Sequence, residues 1–458
     1  MLFHTWTFLI FFVIVWCGYV LLRRGRWAIP WLLVASYLFY AGWRPVYLAL
    51  IVYSTAIDYI AVEGMARTKW RRTWLAISLV NNLGLLAYFK YAHFLVDNFD
   101  LLLGQLGVAY PLPRPSFETM IVGISFYTFQ SMSYTIDFYR GRIPRETSPL
   151  RFATYVAFFP QLIAGPIERS EALLPQLAVR PRITSDHLAS GAALFLTGWF
   201  KKVALADQLA PVVEQVYGNP SEFGGWNVLL ATLAFAWQIY FDFSGYSDMA
   251  RGVARWLGFE LMVNFRHPYL ATSLSDFWDR WHISLSRWFR DYLYIPLGGN
   301  RVGAWRWASN IMIVFVVSGL WHGPAWTFVL WGAWHGLGLV ALRPLERRGY
   351  WRRVPLVART GLVFSWVLFG WALFRANSLT DLAVLAAALR DWSVEPLVLP
   401  LSLAVMVGLV WLHQAIHESR FVGVLRHPLV AGTLAILMWL YLLLMPASRS
   451  EAFIYFQF

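Results

Sequence analysis

Among the ten histidines of this 458-residue chain, four sit where an imidazole can do chemistry: His267, His282, His322 and His335. The others (His4, His93, His187, His413, His417 and His427) fall near the ends of apolar stretches and read as interfacial or loop residues. His322 lies in Ser318-Gly319-Leu320-Trp321-His322-Gly323-Pro324-Ala325-Trp326. An ionisable side chain inside an apolar stretch is expensive and points to function. The Gly-Pro pair breaks helical bonding, so the imidazole falls where a helix stops and the chain turns. A neutral imidazole in an apolar cavity suits general-base work. The competing reading is a histidine bonded to a nearby carbonyl. Trp334-His335-Gly336 repeats the pattern. At about 100° per residue, though, His335 would point about 220° away from His322 on one continuous helix. Unless the Gly323-Pro324 break realigns the two, His335 reads as structural.

The stretch 276–291 has the sharpest periodicity. Plotted as one helix, Asp276, Asp279, Arg280, Arg287, Arg290 and Asp291 fall in a stripe about 120° wide. Trp278, His282, Leu285 and Phe289 fall opposite, with Trp281 and Trp288 flanking. The expectation is an amphipathic helix at a membrane surface or a cytoplasmic mouth, with His282 facing the protein. The stripe reads equally well as a solvated ion-pair face. Asp242-Phe243-Ser244-Gly245-Tyr246-Ser247-Asp248 places two acids and two serines at the expected end of a span, as a capped junction or a site lining. Lys201 and Lys202 either snorkel to the interface or meet an anionic substrate.

The elements that must hold these residues are membrane helices. Hydrophobic residues make up 59% of the chain and charged residues 14%, against roughly 45–50% and 25% in soluble domains. Mean hydropathy is +0.51. So few charges cannot cover a soluble surface. Disordered, collagen-like and coiled-coil classes are excluded, and the expectation is an all-α polytopic membrane protein. The net charge of +13 suggests cytoplasmic loops and anionic lipid headgroups rather than nucleic acid. The single cysteine, Cys17, rules out a disulfide framework or a Cys-based metal site, and no metal ligand set is expected. The 26 tryptophans exceed what two interfacial belts need, so many must pack between helices.

Ten to twelve spans are expected, near 5–22, 28–42, 45–62, 73–90, 117–138, 187–206, 226–244, 307–322, 325–342, 356–375, 399–416 and 428–446. The first lacks a basic lead and a cleavage site, and Arg23, Arg24 and Arg26 follow it, so it reads as a retained helix. Basic clusters at 23–26, 67–72, 140–145 and 343–353 alternate consistently if all are cytoplasmic. Residues 158–166, with prolines at 160 and 166, and 241–306 do not read as simple spans. Irregular backbone at membrane depth survives only where protein or a wet cavity covers it, so both are candidate re-entrant segments. Gly-x-Ser-x-Gly, Walker, dinucleotide and His-Glu-x-x-His motifs are absent.

These residues resemble the membrane-bound O-acyltransferase family, and within it the bacterial alginate O-acetyltransferase-like subfamily. The resemblance rests on six segments in order. They are Gly123-Ile124-Ser125-Phe126-Tyr127 with Tyr134-Thr135-Ile136-Asp137; Phe159-Pro160-Gln161-Leu162-Ile163-Ala164-Gly165-Pro166; and Tyr240-Phe241-Asp242-Phe243-Ser244-Gly245-Tyr246-Ser247-Asp248-Met249-Ala250. The other three are Phe277-Trp278-Asp279-Arg280-Trp281-His282-Ile283-Ser284-Leu285-Ser286; Asp291-Tyr292-Leu293-Tyr294-Ile295-Pro296-Leu297-Gly298-Gly299-Asn300-Arg301; and Gly319-Leu320-Trp321-His322-Gly323.

The resemblance implies a single integral domain over 1–458: N-terminal helices to 147, a catalytic core at 148–345 and C-terminal helices beyond. It implies His322 as the catalytic histidine and His282 as a second catalytic position. Asp242, Ser244, Tyr246, Ser247, Asp248, Trp281, Trp321, Arg280 and Arg287 would line the chamber and its cytoplasmic entrance. It further implies a multi-pass protein of the bacterial inner membrane with no tightly bound cofactor. Acetyl-CoA would be the acyl donor, an SGNH-hydrolase-like periplasmic protein the partner, and an exported polysaccharide the destination of the acetyl group. No nucleophile for an acyl-enzyme is evident. Two alternatives stay open: a non-enzymatic transporter of polysaccharide or lipid intermediates, and D-alanyl transfer to teichoic acid.

Overall fold

The computed structural model describes residues 1–108, 112–114, 121–395, 397–444 and 453–456. Among the described residues the fold is all-α, with no strand. Three of the described helices, Pro45–Arg67, Gly225–Trp256 and Leu356–Arg375, are long and apolar enough to cross a bilayer. Five shorter apolar helices accompany them: Trp6–Leu22, Ala28–Ala41, Leu379–Ala388, Leu401–His417 and Pro428–Leu444. Each of the twelve expected spans overlaps a helix, and Leu379–Ala388 is an apolar helix that periodicity did not reveal. Large apolar side chains such as Trp6, Ile10, Ile14 and Leu21 stand exposed along the first helix. That surface suits hydrocarbon rather than water.

The chain divides into two compact units, Met1–Leu194 with Ala250–Met262, and Phe195–Met249 with Val263–Phe458. In the first, the expected re-entrant segment forms the short helical turn Phe159–Leu162. Phe158, Phe159 and Ala164 are completely buried. Protein groups meet it at membrane depth, as such backbone requires: Phe159 N–H donates to Ser36 Oγ at 3.1 Å, and Gln161 Nε2 donates to Tyr155 O at 2.9 Å. The same unit buries a polar cluster that the sequence did not signal. Asp58 accepts from Ser78 Oγ at 2.6 Å, from Asn82 Nδ2 at 2.9 Å and from Ser131 Oγ.

Two sequence expectations fail in the second unit's elements. The span expected to end near residue 244 runs on to Trp256, so Asp242 to Asp248 lie inside a helix rather than at a capped junction. Gly245 is not a breaker. A Cβ there would sit 2.7 Å from Gly198 O, so the glycine lets the helix Ser185–Trp199 cross closely. The stretch 276–291 is likewise not one helix. It splits into Leu274–Arg280 and Ile283–Phe289, followed by a wide turn at Arg290–Tyr294. The six charged residues therefore share no single face.

Candidate active site

His322 is the last residue of the helix Ala304–His322, and Gly323 is extended at φ −164° and ψ 155°. The chain returns in the helix Trp326–Arg347. The two helices nearly touch because Gly319 and Gly332 carry no Cβ. An added carbon would lie 2.1 Å from Phe328 O at the first and 2.2 Å from Phe315 O at the second. This hairpin sets both histidines against one tryptophan ring rather than against each other. The Trp331 ring lies 5.0 Å from His322 and 5.1 Å from His335.

His282 stands at the break between the two short helices, with φ +43° and ψ 54°. A left-handed backbone at a non-glycine residue is unfavourable and persists only when its surroundings enforce it. Here Ile283 N–H donates to Asn264 O at 2.9 Å, and Arg266 N–H donates to Arg280 O at 2.9 Å, on either side of the break. The Asn264 side chain completes the clamp. Its Oδ1 accepts from Ser284 Oγ at 3.0 Å and lies 3.2 Å from His282 Nδ1, while its Nδ2 reaches Ser247 Oγ at 3.4 Å. An acceptor at Nδ1 selects the tautomer that carries its proton there, which makes Nε2 the lone-pair nitrogen. Burial pulls the His282 imidazole down to about 3, so it is neutral at ordinary pH.

His282 and His322 are 1% and 5% exposed, and they share two aromatic neighbours. Trp321 lies 6.1 Å from His282 and 5.1 Å from His322. Tyr455 lies 6.4 Å from His282 and 5.7 Å from His322. Tyr455 arrives on a segment held by the Asp242 block: Ile454 N–H donates to Asp242 Oδ2 at 2.6 Å, and the Phe453 ring packs 4.8 Å from Tyr246. Sequence reasoning missed both Tyr455 and Asn264. The signals were the aromatic run Phe453-Ile454-Tyr455-Phe456 after the last apolar stretch, and a lone amide in Met262-Val263-Asn264-Phe265.

The Asp242 block divides by role. Asp242 and Tyr246 hold the 453–455 segment, Ser247 holds Asn264, Ser244 is buried, and Asp248 pairs with Lys201 at 2.7 Å. Lys202 sits between Asp207 at 2.7 Å and Asp242 at 2.9 Å, all three nearly inaccessible. Neither lysine snorkels or waits for a substrate. Both are neutralised inside the protein. Trp281 packs on Tyr269, Phe277 and Trp371 in the core. Arg280 pairs with Asp276 at 2.6 Å and with Glu418, and it is not a wall of the cavity described next.

That cavity, about 730 Å³, carries Arg266, Arg287, Arg290, Arg343 and Arg347 against Asp279 and Glu346. Arg290 is paired with Asp291 at 2.8 Å. Burial and the neighbouring Arg347 hold the Arg343 guanidinium below its ordinary value, a crowding that a bound anion would relieve. Trp278 and Ser318 also line the cavity. Ser318 lies one helical turn before His322 on the same face, so the basic cavity approaches the imidazole.

The membrane-bound O-acyltransferase family model matches residues 140–345. The chain is 41% identical over 411 residues to a "Probable alginate O-acetylase" of Azotobacter vinelandii, covering 87% of this chain and 80% of the relative. It is 42% identical over 389 residues to the protein of the same name in Pseudomonas aeruginosa, covering 83% and 73%. It is also 35% identical over 385 residues to a "Peptidoglycan O-acetyltransferase" of Helicobacter pylori, covering 76% and 71%.

Proposed function

The chain belongs to the membrane-bound O-acyltransferase family, and from that premise we propose that it takes an acetyl group from a cytoplasmic thioester, acetyl-CoA, and passes it across the membrane for O-acetylation of an exported polysaccharide. Family membership makes it a multi-pass membrane O-acyltransferase rather than a transporter. The finer reading is carried by one observation. Two buried histidines share Trp321 and Tyr455, one helical turn from a cavity walled by arginines.

In this reading the arginines Arg266, Arg287, Arg343 and Arg347 hold the phosphates of the donor, and the thioester extends toward Ser318 and His322. The acceptor hydroxyl gives its proton to His322 as its oxygen bonds to the acyl carbon. The carbon–sulfur bond then breaks, and the thiolate leaves with that proton. His282, neutral and fixed in one tautomer by Asn264, presents Nε2 as an acceptor that orients the attacking hydroxyl. Tyr455 supplies a hydroxyl-bearing side chain in contact with both imidazoles. The relatives' names, an alginate O-acetylase and a peptidoglycan O-acetyltransferase, support the polysaccharide reading. The proposal adds the bacterial inner membrane as the location and a periplasmic SGNH-hydrolase-like protein as the partner that receives the acetyl group.

The test replaces His322 by Ala and by Gln in a strain whose polymer acetylation is read by mass spectrometry. Loss of acetyl groups from both strains, with the proteins inserted and folded, is the expected result. Normal acetyl content would overturn the assignment of His322.

A further inference from the structure

A second basic cavity lies on the first compact unit, where the helices Leu48–Arg67 and Arg71–Leu86 meet. It measures about 630 Å³ and is lined by Lys69, Trp70, Arg71, Arg72, Thr73 and Tyr139. The first is long and apolar enough to cross a bilayer and both fall in expected spans, an arrangement that would set the turn between them at the level of the lipid headgroups. The turn is built rather than loose. Thr68 Oγ1 donates to Gly64 O at 2.8 Å and accepts from Trp70 N–H at 3.3 Å and Trp74 Nε1 at 3.1 Å. The Trp74 ring covers Gly64 so closely that a Cβ would lie 2.2 Å from it.

Arg71 is fixed in place. Its Nη2 donates to Phe138 O at 3.3 Å and Tyr139 O at 3.1 Å, and its guanidinium lies 5.6 Å from the Tyr139 ring. The neighbouring carboxylates are engaged elsewhere: Glu63 pairs with Arg67 and Arg145, and Asp137 with Arg142. Lys69, Arg71 and Arg72 therefore face the cavity with no carboxylate partner among the described residues. Beside them Trp70 is 72% exposed, an apolar ring with a polar edge of the kind that settles at the headgroup level.

We propose that this cavity binds the phosphate of an anionic phospholipid headgroup, with Arg71 as the preset contact, Lys69 and Arg72 closing on the charge, and Trp70 seated in the adjoining interface. The cavity shares no residue with the acyl-transfer site, so the proposal stands or falls independently of the catalytic reading.

The experiment uses the full-length protein in nanodiscs of phosphatidylcholine carrying a small fraction of phosphatidylglycerol, with retained lipid counted by native mass spectrometry. The variant is the double substitution Lys69→Gln, Arg72→Gln. Both side chains are exposed, and Arg71 is left in place. The wild type is expected to retain phosphatidylglycerol and to melt higher in its presence. The variant should lose affinity for it about 30-fold while melting like wild type in phosphatidylcholine alone. Equal retention by wild type and variant would overturn the site. Displacement of the lipid by inorganic phosphate at equal concentration would overturn the lipid as its occupant. If the double variant melts low in phosphatidylcholine, the single substitution Lys69→Gln carries the same comparison.

Discussion

The phenol ring of Tyr455 lies 5.7 Å from the imidazole of His322, although the two residues come from segments far apart in the chain. Asp242 secures the contact by accepting from Ile454 N–H, and the same aspartate is neutralised by Lys202. The catalytic histidine of the proposed mechanism thus gains its aromatic neighbour through a buried ion pair on another helix.

Tyr455→Phe keeps the ring and removes the hydroxyl. If that hydroxyl takes part in proton or acyl movement, Tyr455→Phe should reduce polymer acetylation about 100-fold, as loss of a general acid–base group does. Thermal stability should be unchanged. Wild-type acetylation in Tyr455→Phe, with loss only in Tyr455→Ala, would make the residue a packing element.

Removing Lys202 leaves Asp207 and Asp242 buried without their cation. Lys202→Met should cost about 3–5 kcal/mol, read as a fall in melting temperature of the detergent-solubilised protein. Adding Asp207→Asn and Asp242→Asn to that variant should recover most of the stability. A single Lys202→Met that melts like wild type would show that the buried trio is not coupled.

His282 makes stability pH-dependent in a defined direction. Its folded value of about 3 lies below the unfolded value near 6.5, so between these the unfolded chain binds a proton that the folded chain refuses. Its effect is absent above pH 6.5, and stability falls as pH drops from there toward 3, by up to about 1.4 kcal/mol per pH unit. His282→Gln should flatten this part of the melting-temperature profile. Parallel profiles for variant and wild type would contradict a neutral, buried imidazole.

The arginine-walled cavity should act on donor binding rather than on chemistry. Arg287→Ala or Arg343→Ala should raise the KM for acetyl-CoA about tenfold with kcat little changed, because each removes a charge-assisted contact. The wild-type KM should also rise with salt. A fall in kcat at constant KM would place these side chains at the reacting bond instead.

Much of the site is legible in the order of residues along the chain. An ionisable residue beside Gly323-Pro324 has to sit where a helix stops, because the chain cannot carry helical bonding through that pair. Residues 158–166 have to be covered by protein, because short proline-bounded backbone cannot face lipid. The expectation of a single helix over 276–291 fails because periodicity assumes an unbroken helix. Contacts to Asn264 and Arg266 from outside the segment hold His282 in a left-handed backbone that no local pattern signals.

The sequence by itself determined a membrane protein of helices, since 59% apolar and 14% charged residues leave no other class, and it marked His322 and His282 as the residues to watch. Only the tertiary structure decided their company. Trp331 bridges His322 and His335 because glycines let two helices touch, and Tyr455 reaches both histidines of the proposed site because Asp242 captures a distant backbone N–H. Pattern along a chain reports which face a residue presents. Which partner meets that face depends on close approach and on pairing of buried charge, and both are set by segments remote in sequence.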